Sequence, residues 1–239
     1  MEPSQPTARR RLRRLWLAVA AVLACAAVVV GGLVRHEPAF YRIRTAAALD
    51  GEPPPGQVQQ GRRLVTKLSA LHADFVRPGP WEAAIAEEEV NAWLATDLPR
   101  NHARLLPAGF SSPRVAIGPR RVRVGARVGG TMLGGVVSLD CEVVLRDVNQ
   151  LGIVVSDARF GGLPLPRGPV THEIARRIDA LGMATELRRL DGRPVLVVYI
   201  PSTHDAGATS HWLESLSLED GAVLVAGVTR AAAPRAGAR

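Results

Sequence analysis

The sequence predicts an α+β protein, with an N-terminal transmembrane helix followed by one domain in which a curved, mainly antiparallel sheet packs on two or three helices. Two observations lead to this fold class. An uncharged apolar run occupies residues 15–34. Beyond it, segments with apolar residues at three- and four-residue spacing flank segments in which apolar and polar residues alternate. These two periods are typical of amphipathic helices and of half-buried strands.

Residues 15–34 are predicted to be a transmembrane anchor. They read LWLAVAAVLACAAVVVGGLV, twenty residues without a charge, and a helix needs about 20 apolar residues to cross a bilayer. Five arginines lie between residues 9 and 14. Because the more basic flank of a span stays in the cytoplasm, residues 1–14 are expected to form a cytoplasmic tail. The rest of the chain is then expected to lie outside the inner (cytoplasmic) membrane.

Two other interpretations of this apolar run are open. A cleaved signal peptide also begins with basic residues, but its apolar core is usually shorter, about 7–15 residues. A lipoprotein would be processed at Cys25, yet the nine residues that follow Cys25 are all apolar or glycine. An uncleaved anchor accounts for both the length and the composition of the run.

The charge and the cysteines of the chain exclude some classes of protein. The net charge is +8 at pH 7, but much of it belongs to the arginines beside the apolar run. The other basic residues are scattered, without the concentrated basic face of a nucleic-acid-binding protein, and no nucleic-acid partner is predicted. Cys25 lies in the apolar run and Cys141 in a strand pattern, so no disulfide between them is expected and the domain must depend on its hydrophobic core.

Residues 35–56 are predicted to be a linker between the anchor and the folded domain. The linker ends in three consecutive prolines, which favour an extended spacer. The domain is predicted to cover residues 57–230 and to begin with an amphipathic helix whose apolar residues recur from Val58 to Leu71. Residues 231–239 are predicted to be a disordered tail.

The stretch AEEEVNAWLATDLPR predicts a second helix, which starts at three glutamates, residues 87–89, and stops at the following proline. Carboxylates in the first turn are stabilised by the positive end of the helix dipole, so the glutamates need no chemical role. Trp93 and Leu94 are expected to bury the helix. Asn91 is expected to hydrogen-bond a nearby backbone or loop group.

Alternation with a period of two predicts the strands of the sheet. The predicted strands cover residues 81–85, 121–128, 136–147, 151–160 and 193–201, with a helix at 170–181 and a closing hairpin at 211–229. The hairpin turn is predicted at Asp220-Gly221, where glycine supplies a positive φ. Glycines within or beside the strands predict strong bending of the sheet. They are Gly125, Gly129, Gly130, Gly134 and Gly135.

Arg121, Arg123 and Arg127 share one face of the predicted strand at residues 121–128. Such a row of guanidinium groups is suited to contact anionic lipid head groups. A solvated sheet face is the simpler interpretation of the same pattern.

No catalytic, cofactor-binding or metal-binding residue is predicted. The motif THEIARR contains HExxR and lacks the second histidine of a zinc-binding helix. Ser202 and His204 are close in sequence, but no nucleophile elbow surrounds them. His204, Asp205 and His211 lack a fourth candidate ligand for a metal ion.

The order of elements resembles that of bacterial single-pass envelope proteins of the YpmS-like group, which are similar to the tubular lipid-binding (TULIP-like) fold. The resemblance covers residues 57–230 and depends on Asn-x-x-Leu in the second helix (Asn91, Leu94) and on Gly-Leu-Pro before a later helix (residues 162–164). It implies a curved sheet that wraps a long helix and leaves an apolar groove. It implies no catalytic residues.

The predicted function is that of a non-enzymatic, membrane-anchored domain that binds a lipid or other hydrophobic ligand in the cell envelope. The alternative is an envelope scaffold or assembly protein, which docks a protein partner through a sheet edge or the arginine row. A membrane-anchored hydrolase that uses Ser202, His204 and Asp205, or the glutamates at residues 87–89, is a third hypothesis. No cofactor is predicted in any of these cases.

Overall fold

Most of the domain that follows the apolar run is described in a computed structural model. The described residues are 32–46, 55–129, 134–190, 192–204 and 209–231. The predicted cytoplasmic tail lies outside these ranges, as do most of the predicted anchor and most of the predicted C-terminal tail. Within the described ranges, no helix combines the length and the apolar character that a membrane crossing requires.

The protein is α+β, with antiparallel strands and a few helices, as predicted. The described helices are α1 (Ala39–Ala46), α2 (Pro55–Phe75), α3 (Glu87–Thr96), α4 (Leu98–Asn101) and α5 (Arg167–Ala180), with a 3-10 turn at Ala103–Leu105. The described strands are β1 (Gly79–Ala86), β2 (Phe110–Gly118), β3 (Arg121–Val128), β4 (Gly135–Asp147), β5 (Gln150–Phe160), β6 (Leu163–Pro164), β7 (Ala184–Leu190), β8 (Arg193–Tyr199), β9 (Thr203–His204), β10 (Thr209–Glu219) and β11 (Ala222–Ala231).

The strands form two sheets. One has seven strands in the order β2-β3-β4-β5-β8-β7, with β6 paired to β5, and the other has four strands in the order β1-β11-β10-β9. The predicted C-terminal hairpin, β10 and β11, therefore belongs to the four-stranded sheet together with β1 and β9. It does not extend the seven-stranded sheet. Its turn is where the sequence places it, with Gly221 at φ +77°.

Asn149 joins the two sheets. It lies in the turn between β4 and β5 at φ +59°, a left-handed conformation that asparagine tolerates better than most residues. Its side-chain amide donates to the carbonyl of His211 at 2.7 Å and accepts from the amide of Leu213 at 2.7 Å. Both partners are in β10, so one side chain holds the end of the longest hairpin against the second sheet.

One side of the seven-stranded sheet, which we call the helix face, is covered by α5. Side chains alternate between the two sides of a strand, and Cys141, Val155 and Ala158 share the side that packs on Ile174 of α5. Leu196 of β8 continues this apolar layer and is fully buried. The helix face therefore forms the main hydrophobic core between sheet and helix.

The opposite side of the same sheet is crossed by residues 33–42, and we call it the segment face. Along β4 it carries Val136, Ser138 and Asp140, which alternate with the residues of the helix face. The chain therefore covers one side of the sheet with a helix that follows most of the strands, and the other side with a segment that precedes all of them.

Helix α3 differs from its prediction in where it ends and in which side it buries. It ends at Thr96, and Pro99 lies in the first turn of α4, where proline is compatible with a helix. Trp93 and Leu94 are only half-buried. The deeper side carries Glu87 among others, because polar side chains of this helix bind the backbone of a neighbouring strand.

Candidate functional site

The end of the predicted anchor and the residues that follow it, together residues 33–42, are part of the folded core. Tyr41 is 0% exposed, and it clusters with Phe40, Ala116 and Val136 on the segment face. The Tyr41 hydroxyl donates a hydrogen bond to the carbonyl of Ser112 at 2.8 Å. Part of the predicted linker therefore packs on the sheet.

Glycines in the sheet make this packing feasible. A Cβ atom at Gly125 would lie 2.8 Å from the Tyr41 ring, and a Cβ at Gly135 would lie 2.7 Å from the carbonyl oxygen of Val34. The amide of Gly162 donates to the carbonyl of Leu33 at 2.6 Å. The sequence predicts bending at Gly125 and Gly135, whereas their closest contacts are with the segment that crosses them.

Arg114 lies beside Tyr41 under the same segment. Its side chain is buried and donates to the carbonyl of Pro113 at 3.0 Å. Burial lowers the pKa of the Arg114 guanidinium and raises the pKa of Tyr41, an effect that the nearby Arg127 opposes. The segment thus excludes water from two titratable groups when it packs on the sheet.

A cleft of about 440 Å³ opens between the segment and the sheet. Its wall on the segment side is formed by Leu33, His36, Pro38 and Phe40. Its floor on the sheet side includes Arg123, Ser138, Asp140, Asp157 and Arg159. The cleft therefore has an apolar wall next to a polar and charged floor.

Arg123 is the cation of the cleft that lacks a carboxylate partner among the residues described. Its guanidinium lies 5.2 Å from the centre of the Phe40 ring, a distance typical of a cation–π contact. Since the Arg123 side chain is exposed, its hydrogen-bond donors are accessible from the cleft.

The two carboxylates of the floor have partners at different distances. Asp157 accepts a hydrogen bond from the Arg159 guanidinium at 2.6 Å. Asp140 lies 3.8 Å from the Arg121 guanidinium and accepts a hydrogen bond from the Ser156 hydroxyl at 3.3 Å. Asp140 is therefore the less tightly paired of the two.

The three arginines predicted to contact head groups all lie on the segment face. Arg127 forms an ion pair with Glu37 of the segment, and Arg121 lies 3.8 Å from both Asp140 and Glu142. Only Arg123 opens into the cleft. Their contact with a lipid head group stays a prediction.

The glutamates at the start of α3 make structural contacts. Glu87 accepts a hydrogen bond from the backbone N–H of Ile117 at 2.6 Å. Glu89 accepts one from the ammonium group of Lys67 at 2.8 Å and one from the backbone N–H of Ala86 at 3.1 Å. Burial alone would raise the pKa of Glu89, but these hydrogen bonds outweigh it and lower the pKa.

Asn91 lies one turn after Glu87 and binds the same strand. Its side-chain NH2 group donates a hydrogen bond to the carbonyl of Val115, and its side-chain oxygen accepts one from the backbone N–H of Val115, both at 2.9 Å. Together these two side chains satisfy the outer edge of β2, which would otherwise present free backbone groups. The Trp93 ring lies 5.6 Å from the ring of His102, away from the segment-face cleft.

The hydrolase residues are not brought together as far as the structure describes them. The His211 ring stacks on Phe75 at 5.5 Å, and the carbonyl of Ser202 accepts the amide of His211. The side chain of His204 and the whole of Asp205 lie outside the described residues. Within the described ranges, no group of three or more His, Cys, Asp or Glu side chains is placed to hold a metal ion.

The sequence pattern does not identify Ser138, Asp140, Asp157 or Arg159 as site residues. Alternation places the first two on the polar side of their strand, so this signal was present. What it could not show is that the segment before the domain covers this side and forms a cleft there. Comparisons with known protein families, characterised proteins and solved structures found no match.

Proposed function

We propose that this protein is a non-enzymatic, membrane-anchored domain that binds a lipid at the outer surface of the cytoplasmic membrane, in the cleft of the segment face. The observation that carries the proposal is the origin of the cleft wall. The wall is built from Leu33, at the end of the predicted anchor, and from His36, Pro38 and Phe40, which follow the anchor at once.

The spacing between the predicted anchor and the cleft supports a ligand at the membrane surface. The predicted anchor ends at Val34, and Phe40 on the cleft wall follows six residues later. Even a fully extended chain of six residues reaches only about 20 Å. The head groups of a bilayer whose core the anchor crosses therefore lie close to the cleft.

The composition of the cleft supports an amphipathic ligand. Leu33 and Phe40 give it an apolar wall, while Arg123 and Arg159 supply guanidinium groups on the floor. A volume of about 440 Å³ is within the usual range of small-ligand sites, roughly 300–1,000 Å³. A lipid head group would contact the floor while its acyl chains remain against the apolar wall and in the bilayer.

Retention of lipid by the full-length chain tests this proposal. The chain is purified in mild detergent and its mass is measured by native mass spectrometry. We expect one bound phospholipid, and we expect Arg123→Gln to lower its retention at least about fivefold, because charge-assisted hydrogen bonds to phosphate are among the stronger ones.

Arg230→Gln is the matched control for that substitution. Arg230 lies over the ring of Trp212 at 5.4 Å, so it makes the same type of contact as Arg123 in the other sheet. Loss of lipid in both variants, or no lipid on the folded wild-type chain, would contradict the proposal.

A second candidate, a scaffold that docks a protein partner, is favoured by the open edge of β7. This strand ends the seven-stranded sheet, and no other described strand pairs with its outer side. An exposed edge accepts an added strand, and Leu187 on β7 is exposed. A stoichiometric partner that Leu187→Asp releases would support this function, whereas an unpartnered, lipid-bound chain would count against it.

A further inference from the structure

We propose that the cleft recognises the head group of a zwitterionic phospholipid that carries a primary ammonium group, with Arg123 and Ser138 on its phosphate and Asp140 on its ammonium. This inference rests on the proposed lipid-binding function. It goes beyond that function by naming the class of head group and the side chains that select it.

Ser138 on the cleft floor is a polar side chain without a protein partner. The residue is only 8% exposed, and its hydroxyl makes no hydrogen bond to any residue that the structure describes. Its oxygen is not one of the fully buried side-chain atoms without a partner, so it remains accessible from the cleft. Because Ser138 lines the cleft, a ligand oxygen in the cleft is the acceptor that its hydroxyl can reach.

Arg123 and Asp140 provide opposite charges side by side. They are directly paired in the register of β3 and β4, and directly opposite residues have Cβ atoms about 4.5–5.5 Å apart. They do not neutralise each other, since Arg123 lies over Phe40 and Asp140 is oriented towards Arg121. A phosphate and an ammonium joined by a two-carbon linker present the complementary pair of charges.

Asp140 also faces a second carboxylate. It is directly opposite Asp157 in the register of β4 and β5, and like charges at such positions repel each other. The cations of the chain itself approach from other directions, Arg121 from β3 and Arg159 from further along β5. An ammonium group between the two carboxylates would remove this repulsion.

The balance of charges on the cleft floor favours a zwitterionic head group over a purely anionic one. Two guanidinium groups, of Arg123 and Arg159, are balanced by the carboxylates of Asp140 and Asp157. An anionic head group would be attracted by the two arginines, but its phosphate would also lie close to the two carboxylates and be repelled by them. A zwitterion satisfies both kinds of charge at once.

Competition between two lipids tests the inference. The full-length chain in detergent is mixed with equal amounts of phosphatidylethanolamine and phosphatidylglycerol, and the bound lipids are counted by native mass spectrometry. We expect phosphatidylethanolamine to be retained about tenfold more, because a hydrogen bond to a charged group contributes more than one to a neutral hydroxyl.

Two substitutions separate the roles of the side chains. Asp140→Asn keeps the shape of the floor and is expected to lower the preference to about twofold or less, since the ammonium loses its carboxylate partner. Ser138→Ala is expected to lower retention of both lipids and to leave the ratio unchanged. Glu186→Gln is the control, because Glu186 is an exposed carboxylate bound to Arg188 on β7, outside the cleft.

Each outcome decides between the two proposals. Equal retention of the two lipids by the wild-type chain, preference for phosphatidylglycerol, or an unchanged preference in Asp140→Asn would overturn the head-group assignment and leave lipid binding standing. A folded wild-type chain that retains neither lipid would overturn both. The wild-type competition needs no substitution, so a variant that fails to fold does not remove the test.

Discussion

The two faces of the seven-stranded sheet are closed in different ways. On the helix face, apolar side chains of α5 pack on residues such as Cys141 and Leu196, and the contact is continuous. On the segment face, Phe40 and Tyr41 pack near Gly125, and a cleft with a charged floor remains beside them. The helix face is filled, whereas the segment face is filled only where the segment crosses it.

This difference separates stability from the proposed ligand binding within one sheet. A filled apolar face contributes the burial that holds the domain together. A face that is covered only by a short segment leaves space for a ligand. This space lies next to the part of the chain that precedes the segment, the predicted anchor. Substitutions on the two faces should therefore have similar effects on stability and different effects on lipid retention.

The largest effects are expected from removing one buried side chain on each face. Tyr41→Ala should lower the free energy of unfolding by about 3–5 kcal/mol and Leu196→Ala by about 2–5 kcal/mol, the usual ranges for such truncations. Chemical unfolding measures both changes. Only Tyr41→Ala should also abolish lipid retention, and equal loss of lipid in the folded Leu196→Ala variant would contradict the separation of roles.

A somewhat smaller effect is expected from Gly161→Val. A Cβ atom at this position would clash with the backbone carbonyls of Leu33 and Val34, so the start of the segment should be displaced from Gly161 and stability should fall by about 2–4 kcal/mol. Gly182→Val is the control, because Gly182 also has a positive φ but has open space around it. If both variants lose the same stability, the loss reflects backbone strain and not the position of the segment.

Because α5 covers the helix face, we expect the Cys141 thiol to react slowly with thiol reagents in the folded chain. Burial raises the pKa of its thiol to about 11. At pH 8 its thiolate is then at least about 100-fold scarcer than that of an ordinary cysteine. In a Cys25→Ser background, a thiol reagent should label Cys141 quickly only after unfolding. Fast labelling of the folded chain would show that α5 does not seal this face.

The smallest effect is expected from Tyr41→Phe. Losing the hydrogen bond to the carbonyl of Ser112 should lower stability at neutral pH by about 1 kcal/mol. Burial raises the pKa of Tyr41 in the folded chain, so its contribution is present below the pKa of the unfolded chain, about 10. It is lost as the pH rises through the folded-state value.

Unfolding measured from pH 8 to pH 11 tests this dependence. The wild-type chain should lose more stability over that range than Tyr41→Phe. Cys141→Ser in both backgrounds controls for the thiol, which titrates in the same direction. Identical pH profiles of the two chains would mean that Tyr41 is accessible to water.

Local patterns predicted the α+β class and many of the strands and helices, but neither β7 nor the division of the strands into two sheets. The alternation in β3, β4 and β5 and the turn at Gly221 depend on neighbouring residues, so the sequence shows them directly. The position of Tyr41 could not be predicted in this way, because it depends on Gly125 and Ser112, which are far away in the chain. An aromatic residue after an apolar run is equally typical of a membrane interface.

The cleft was less predictable than the fold. Asp140 and Asp157 become neighbours only because the register shifts by one residue between Asp140 and Cys141, and alternation within one strand contains no such information. The same holds for Asn149, which is an ordinary turn residue in sequence terms and joins two sheets through its side chain. Pairings between distant segments decide both features.

The contact of Tyr41 with the sheet also sets an order of folding. Tyr41 and the carbonyl it binds at Ser112 are 71 residues apart in the chain, and contacts between distant residues form later than local ones because a long loop must close first. The segment is synthesised before every strand it covers, yet it can settle only after β2, β3 and β4 have paired. We therefore expect the cleft to form after these strands have paired, so that a partly folded chain would carry the segment without the site.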